Sequence, residues 1–461
     1  MNRPLRCWRF SWYRAFPQRT TLTQSALPTV GRFFLYGSYS PVQLVRGILL
    51  LIVYTAVVHF SYIFAIAPSF GYLGYGITHR TVEEVLVVYF FAGLSATFLP
   101  GSIRVPSHLI MLYTITFVYV PTVVVAAFGS SLTFQKLVSL YLWLTASLAL
   151  LAWTSALPRL RIPNLSLSTR LWWGIVGAMG LSCLGYLAST FSIRPPTLTL
   201  FDAEIYNIRM EAREMGTLAG YALRFAGNVF GPLLISYGLT RPKASVLFAG
   251  ILVQIFVFSL DATKFTLFSL ILLLVVSVIV RRQGGGGTFI GLTTAGITAL
   301  LAVYFFFEEV LPLMSILVRR AIITPGLLTA VYYEFFQFNE PFLWSHSFLK
   351  PFLTSHYSLP PAFVIGAYYF GDSRTSANVN FLGDGIANLG APGMLVIAFF
   401  AGVWFWILDS ISEGKRQFSV MAIAIPSFAL VNSALTTSLI THGLLVVALI
   451  IWLFPGKEGK P

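Results

Sequence analysis

Residues 47–67 read GILLLIVYTAVVHFSYIFAIA, without a single Asp, Glu, Lys or Arg. As a helix such a run rises about 30 Å, the thickness of a bilayer's hydrocarbon core. Working outward, comparable apolar runs fall near 84–100, 108–128, 136–157, 171–190, 215–239, 244–260, 264–280, 288–311, 391–409, 417–434 and 440–454. The expectation is an all-α integral membrane protein with about twelve transmembrane helices. Composition agrees: 57% of the 461 residues are hydrophobic and 10% charged, and mean hydropathy is +0.79. A soluble domain of this length does not look like that.

Charge orients the chain. The segment 1–46 carries Arg3, Arg6, Arg9, Arg14, Arg19, Arg32 and Arg46 and no acidic residue, as a basic cytoplasmic tail does. An even number of spans in 47–461, read as one polytopic domain, returns the C-terminus to the same side. The connections then assigned to the inside hold Arg104, Arg159, Arg161, Arg170, Arg241, Lys243, Arg281, Arg282, Lys415, Arg416, Lys457 and Lys460. Of the 16 acidic residues they hold only Asp409, Glu413 and Glu458. The positive-inside rule is satisfied at almost every inner connection. The net charge of +14 therefore reflects orientation in an inner-membrane-type bilayer and not a nucleic-acid partner, because the basic residues are dispersed. No cleavable signal precedes the first run. Cys7 and Cys183 are too differently placed to pair.

The two outward-facing loops on this topology that carry most charge are 192–214 and the much longer 312–390. They concentrate charge and aromatic residues between apolar runs, which is where a membrane protein puts its chemistry. Arg209 and Arg213 are four apart and share a face of any helix. Arg224 follows inside an apolar run, Lys264 sits at the outer turn Asp261-Ala262-Thr263-Lys264, and Arg319-Arg320 open the long segment. Guanidinium forks bind phosphate oxygens bidentately and a lysine adds a point charge. The pattern points to a polyanion site, most naturally for a diphosphate. Ion pairing with Glu211, Glu214, Glu308 or Glu309 is the alternative.

Asp202, Glu204, Glu334, His346 and Asp384 are the candidates for a general base that activates a hydroxyl, against ordinary roles as caps or ion-pair members. His59 and His108 read as packed residues, and His356 and His442 carry no assignment. The aromatics Tyr206, Tyr332 and Tyr333, with Phe335-Phe336 and Phe342 near Trp344, read either as interfacial anchors or as platforms for sugar rings. No zinc spacing, P-loop or dinucleotide fingerprint is present, and the Gly284–Gly287 run reads as a linker. No metal or cofactor is expected.

At these residues the chain resembles the oligosaccharide repeat-unit polymerases, the Wzy-type O-antigen and capsule enzymes. The matching pieces are Ile205-Tyr206-Asn207-Ile208-Arg209, Asn228 to Pro232, Lys264, Arg319-Arg320 with Pro325-Gly326, Tyr332-Tyr333-Glu334-Phe335-Phe336, and Asn380-Phe381 through Gly390 and Gly393. Arg209 with Gly220 fits the Arg-x10-Gly motif of the first outer loop, whereas Arg319 and Arg320 are followed at that spacing by Ala330 and Val331.

The resemblance implies a GT-C-like glycosyltransferase of the bacterial inner membrane. Its substrate would be an undecaprenyl-diphosphate-linked oligosaccharide, its surroundings membrane lipids, and a chain-length regulator a candidate partner. Arg209, Arg320 and Lys264 would stabilise the leaving diphosphate. A carboxylate or His346 would activate the acceptor hydroxyl. An O-antigen ligase shares this layout with a different acceptor. A transporter or flippase would show ionisable residues deep in the spans and an internal repeat, and a peptidoglycan polymerase lacks the aromatic and arginine pieces.

Overall fold

The computed structural model describes residues 41–163, 165, 167–192, 204–282 and 285–455, and every regular element among them is helical. Residues 1–40, Arg194 and Asp202 lie outside the described residues, as do the side chains of Glu204, Tyr206 and Arg213. The chain begins with α1 (Pro41–Leu73), α2 (Val82–Leu94), α3 (Pro106–Gly129), α4 (Phe134–Ser155), α5 (Thr169–Thr190) and α6 (Glu204–Glu214). It continues with α7 (Thr217–Thr240), α8 (Ala244–Asp261), α9 (Lys264–Arg281), α10 (Gly286–Phe306) and α11 (Glu308–Phe335). The last elements are α12 (Pro361–Phe370), α13 (Phe381–Leu389), α14 (Gly393–Ile411), α15 (Arg416–Val431), α16 (Leu435–Ile440) and α17 (Leu444–Trp452).

Among the described residues, ten helices are long and apolar enough to cross a membrane. The expectation of about twelve included three runs that form shorter helices: 84–100 is α2 with a 3-10 turn, 417–434 is α15, and 440–454 is α17. Local chemistry explains the ends. Thr81 caps α2 and exchanges hydrogen bonds with Glu84 in a capping box. Asn380 caps α13 by accepting from the amides of Leu382 and Gly383.

The core is α3, whose spanning window is buried along its whole length. Around it α14 packs on α4, α7 on α8, and α11 on α3. The last contact is backbone to backbone, because a Cβ at Gly326 would meet the main chain of Pro121 and Thr122. Four helices carry π-helical turns, at Tyr62–Ile66, Thr114–Tyr119, Ala226–Phe230 and Ser315–Ile323. Such turns rotate the side chains that follow them and often accompany function.

Hydrogen bonds sort the connections onto two ends of the bundle. At one end, Gly286 N donates to Pro100 O, Arg159 pairs with Asp409 at 2.9 Å, Arg281 reaches Leu239 O, and Leu167 N donates to Leu453 O. Lys415 Nζ donates to the carbonyls of Ile451 and Trp452 at 2.6 and 2.8 Å. The basic connections share this end. At the other end, Thr78 N donates to Phe128 O, Arg80 reaches Ala127 O, Tyr369 reaches Gly74 O, and Arg209 reaches Ala262 O.

These ties change the reading of 312–390. Its first part, expected as loop, is α11, with a length and hydropathy that suit a span. Yet Tyr304 just before it bonds Ser69, Thr324 within it bonds Tyr75, and Glu334 near its end accepts from Ser131. All three partners belong to the second end of the bundle. Thus α11 starts and finishes at the same end and lies against α1 and α3 without traversing. One face of it is covered by protein, with Met314, Val318, Ile323, Leu327 and Ala330 buried, while Leu317 stays exposed.

Candidate functional site

The connection between α8 and α9 is the pivot. Asp261 accepts from the amide and hydroxyl of Thr263 at 2.8 and 2.6 Å, closing a tight turn with Ala262 at φ 50°. The turn aims the Ala262 carbonyl at α6, where Arg209 Nε and Nη2 donate to it at 3.2 and 2.8 Å. Ile205 and Ile208 of α6 pack on buried Ala262 and complete the docking. This places Arg209 beside Lys264, the first residue of α9.

Four elements bring their cations to this point. Lys264 is within Coulomb range of Arg209 and Arg320. Arg320 is within range of Arg209, Arg319 and the Tyr75 hydroxyl. Asp261 is within Coulomb range of both Arg209 and Arg224. The adjacent arginines of α11 differ because a π-helical turn carries both. Arg319 donates to Ser315 Oγ at 3.0 and 2.8 Å and lies 4.5 Å over the Phe70 ring. Arg320 is exposed and, among the described residues, makes no hydrogen bond or ion pair. Like charges held together store repulsion that a polyanion relieves.

A second group adjoins the first. The α15–α17 hairpin leaves the basic end, breaks between Val431 and Leu444, and returns, with Lys415 bonded to the far end of α17. At the break, His442 Nδ1 is 3.4 Å from Asn228 Nδ2 and Nε2 is 3.1 Å from Ser433 Oγ. Asn228 stands in the π-helical turn of α7, and the charge of Arg224 faces the imidazole. Gly443 has φ 81°, and a Cβ there would collide with Val229, so the ring is set close against α7. Nothing in the sequence assigns His442 a role. Its one signal was a histidine and a glycine interrupting an apolar run.

The remaining predicted residues lie elsewhere. Glu334 accepts from Ser131 Oγ at 2.6 Å at the turn between α3 and α4. Asp384 on α13 is pushed up to about 7 by burial, against the lowering effect of the Asn388 amide at 3.3 Å. Asn388 also accepts from Trp344 N at 2.8 Å, while Ala387 and Asn388 carbonyls accept from Phe342 and Leu343. That clamp holds Leu343 and Trp344 at φ 52° and 56°, left-handed values that non-glycine residues rarely adopt. His346 packs edge-on against Phe342 with Nδ1 buried and unpartnered among the described residues, and burial holds its pKa below the ordinary value.

None of these three has a described polar or electrostatic partner among the clustered cations. Tyr332 and Tyr333 are 2% and 5% exposed, and the Tyr332 hydroxyl donates to Ala377 O. Neither ring offers a face to a saccharide. Exposed aromatics at the same end include Tyr72, Phe338, Phe348, Phe352 and Tyr368. Tyr206 and Arg213 belong to α6, the helix that carries Arg209. No cluster of three or more His, Cys, Asp or Glu suited to a metal occurs among the described residues.

Fold and site together define a multi-pass helical membrane protein with a cationic centre at one end of its bundle. Comparison with protein-family models, curated proteins and solved structures finds no match to the chain.

Proposed function

We propose that this chain is a GT-C-like membrane glycosyltransferase that polymerises undecaprenyl-diphosphate-linked oligosaccharide repeat units into a surface polysaccharide such as O-antigen or capsule. The observation that carries the reading is the convergence of Arg209, Arg224, Lys264 and Arg320, from four separate elements, on one turn. A diphosphate leaving group gains negative charge as its glycosidic bond breaks, and prearranged cations stabilise that change most strongly where water is scarce. The positive-inside tendency orients the basic end toward the cytoplasm and the cationic centre outward. On this reading the protein works in the bacterial inner membrane with both termini inside, and the lipid tail reaches the centre from the bilayer. A chain-length regulator would meet the same outer end.

The experiment is polymerisation in liposomes, using the lipid-linked repeat unit extracted from the source cells. Arg209→Ala and Arg320→Ala should each lower chain growth about 100-fold, the scale seen when one charge-stabilising donor is lost. Long-chain product from both variants at the wild-type rate overturns the site. Transport of the intact lipid-linked unit without chain growth supports a flippase instead. Transfer of finished glycan to a lipid acceptor without chain growth supports a ligase.

A further inference from the structure

We infer that His442 is the general base of this centre, held by Asn228 and placed to take the proton of the acceptor hydroxyl. The inference rests on the polymerase reading and adds to it the group that the cations alone do not provide. The four clustered cations neutralise a leaving diphosphate, but a sugar hydroxyl is a weak nucleophile until a base accepts its proton.

The geometry follows the nucleophile, base and orienting-group arrangement of proton-transfer sites. Ser433 Oγ lies 3.1 Å from Nε2, and the Asn228 amide lies 3.4 Å from Nδ1. Rotating the Asn228 amide exchanges its nitrogen for its oxygen without changing its shape. The Nδ1–H then donates to Oδ1, and the Nε2 lone pair is left facing Ser433. The serine hydroxyl marks the position that an acceptor hydroxyl takes when it displaces Ser433 from Nε2. Contacts of this length tighten when substrate closes the site.

Location favours His442 over the three candidates read from sequence. Glu334 is bonded to Ser131, Asp384 to Asn388, and His346 is packed on Phe342. His442 alone of the four faces one of the clustered cations, Arg224. It also sits at a break in a hairpin whose non-helical residues include Asn432, Ser433 and Thr441, on either side of the short α16. Backbone that leaves helical form inside an apolar bundle is tolerated where it lines a polar cavity.

In the step, the acceptor O–H proton passes to Nε2 and the acceptor oxygen forms a bond to the anomeric carbon of the donor. The bond from that carbon to the diphosphate oxygen breaks, and its electron pair leaves on the diphosphate. The imidazolium then returns its proton to water.

The test uses the full-length protein in liposomes with the extracted repeat unit, and measures undecaprenyl diphosphate binding separately in nanodiscs. His442→Gln should lower kcat about 100-fold or more, the scale of a lost general base, while KM and undecaprenyl diphosphate affinity stay within about threefold. Asn228→Ala should lower kcat with KM unchanged, and Asn228→Asp should restore it, which a purely structural asparagine would not do. Polymer from His442→Gln at the wild-type kcat, with Arg320→Ala inactive, overturns the inference and leaves the polymerase reading standing. Absence of polymer from the wild-type protein overturns both.

Discussion

The guanidinium of Arg209 is fastened to the carbonyl of Ala262 by two hydrogen bonds, 3.2 Å from Nε and 2.8 Å from Nη2. The residues are far apart in sequence, and their bond joins a short polar helix to the turn between two apolar ones. It sets the position of a cation beside Lys264 and Arg320. A planar fork is needed, since two parallel donors fix direction as well as charge.

Arg209→Lys therefore fails to substitute for arginine. Lysine keeps the charge but offers a point donor that cannot hold the Ala262 carbonyl in the same way. On the proposed polymerase reading, undecaprenyl diphosphate affinity in nanodiscs should fall about tenfold, a loss of about 1.4 kcal/mol. Affinity equal to wild type shows that charge alone matters at this position.

Arg319 and Arg320 should separate stability from binding. Arg319 is committed to Ser315 and the Phe70 ring, so Arg319→Ala should lower the thermal midpoint in detergent, with a loss of about 1–2 kcal/mol. Arg320 makes no such contact among the described residues, so Arg320→Ala should leave the midpoint unchanged and weaken diphosphate binding. The opposite pattern means that the two roles are exchanged.

Asp384 gives the protein a pH-dependent stability. Burial pushes its carboxyl up to about 7, whereas an unfolded aspartate releases its proton at about 3.9. Between those values the folded state holds the extra proton, so stability falls as pH rises and levels off above about 7. The loss is on the order of a few kcal/mol. Thermal midpoints measured from pH 4.5 to 8 should show this slope in the wild type and a shallower one in Asp384→Asn. Identical slopes remove Asp384 as the cause.

Gly326→Ala should loosen the packing of α11 on α3. The added methyl meets the Pro121 carbonyl and the Thr122 amide, and backbone cannot swing aside as a side chain can. Overpacking of this kind costs about 1–3 kcal/mol. The thermal midpoint should drop and limited proteolysis near Phe307 should accelerate. Unchanged values mean that the helices separate without strain.

Several features are legible in the sequence. Runs such as 108–128 and 136–157 coincide with α3 and α4, because an uninterrupted apolar stretch of spanning length has few other structures open to it. Arg209, Lys264 and Arg320 were singled out by charge where charge is expensive, and they meet at one turn. The start of the long segment is helix where its sequence suggests loop. Arg319, Arg320, Pro325 and Gly326 interrupt its apolar pattern as a loop would, while in three dimensions the arginines occupy a π-helical turn and the glycine is where α3 packs. Tyr332 and Tyr333 carried the residue types of a sugar platform, but burial is a property of neighbours, and theirs cover them.

By itself the sequence determined the class of protein and which connections share a side, since both follow from local hydropathy and the count of charges between runs. The tertiary structure decided that α11 begins and ends at one end of the bundle, that Arg319 is spent on Phe70 while Arg320 is not, and that His442 stands between Asn228 and Ser433. The physical reason is distance along the chain. Hydropathy acts over one helix, whereas the His442–Asn228 contact joins positions 214 residues apart. Only the packing of α7 against the broken hairpin brings them together.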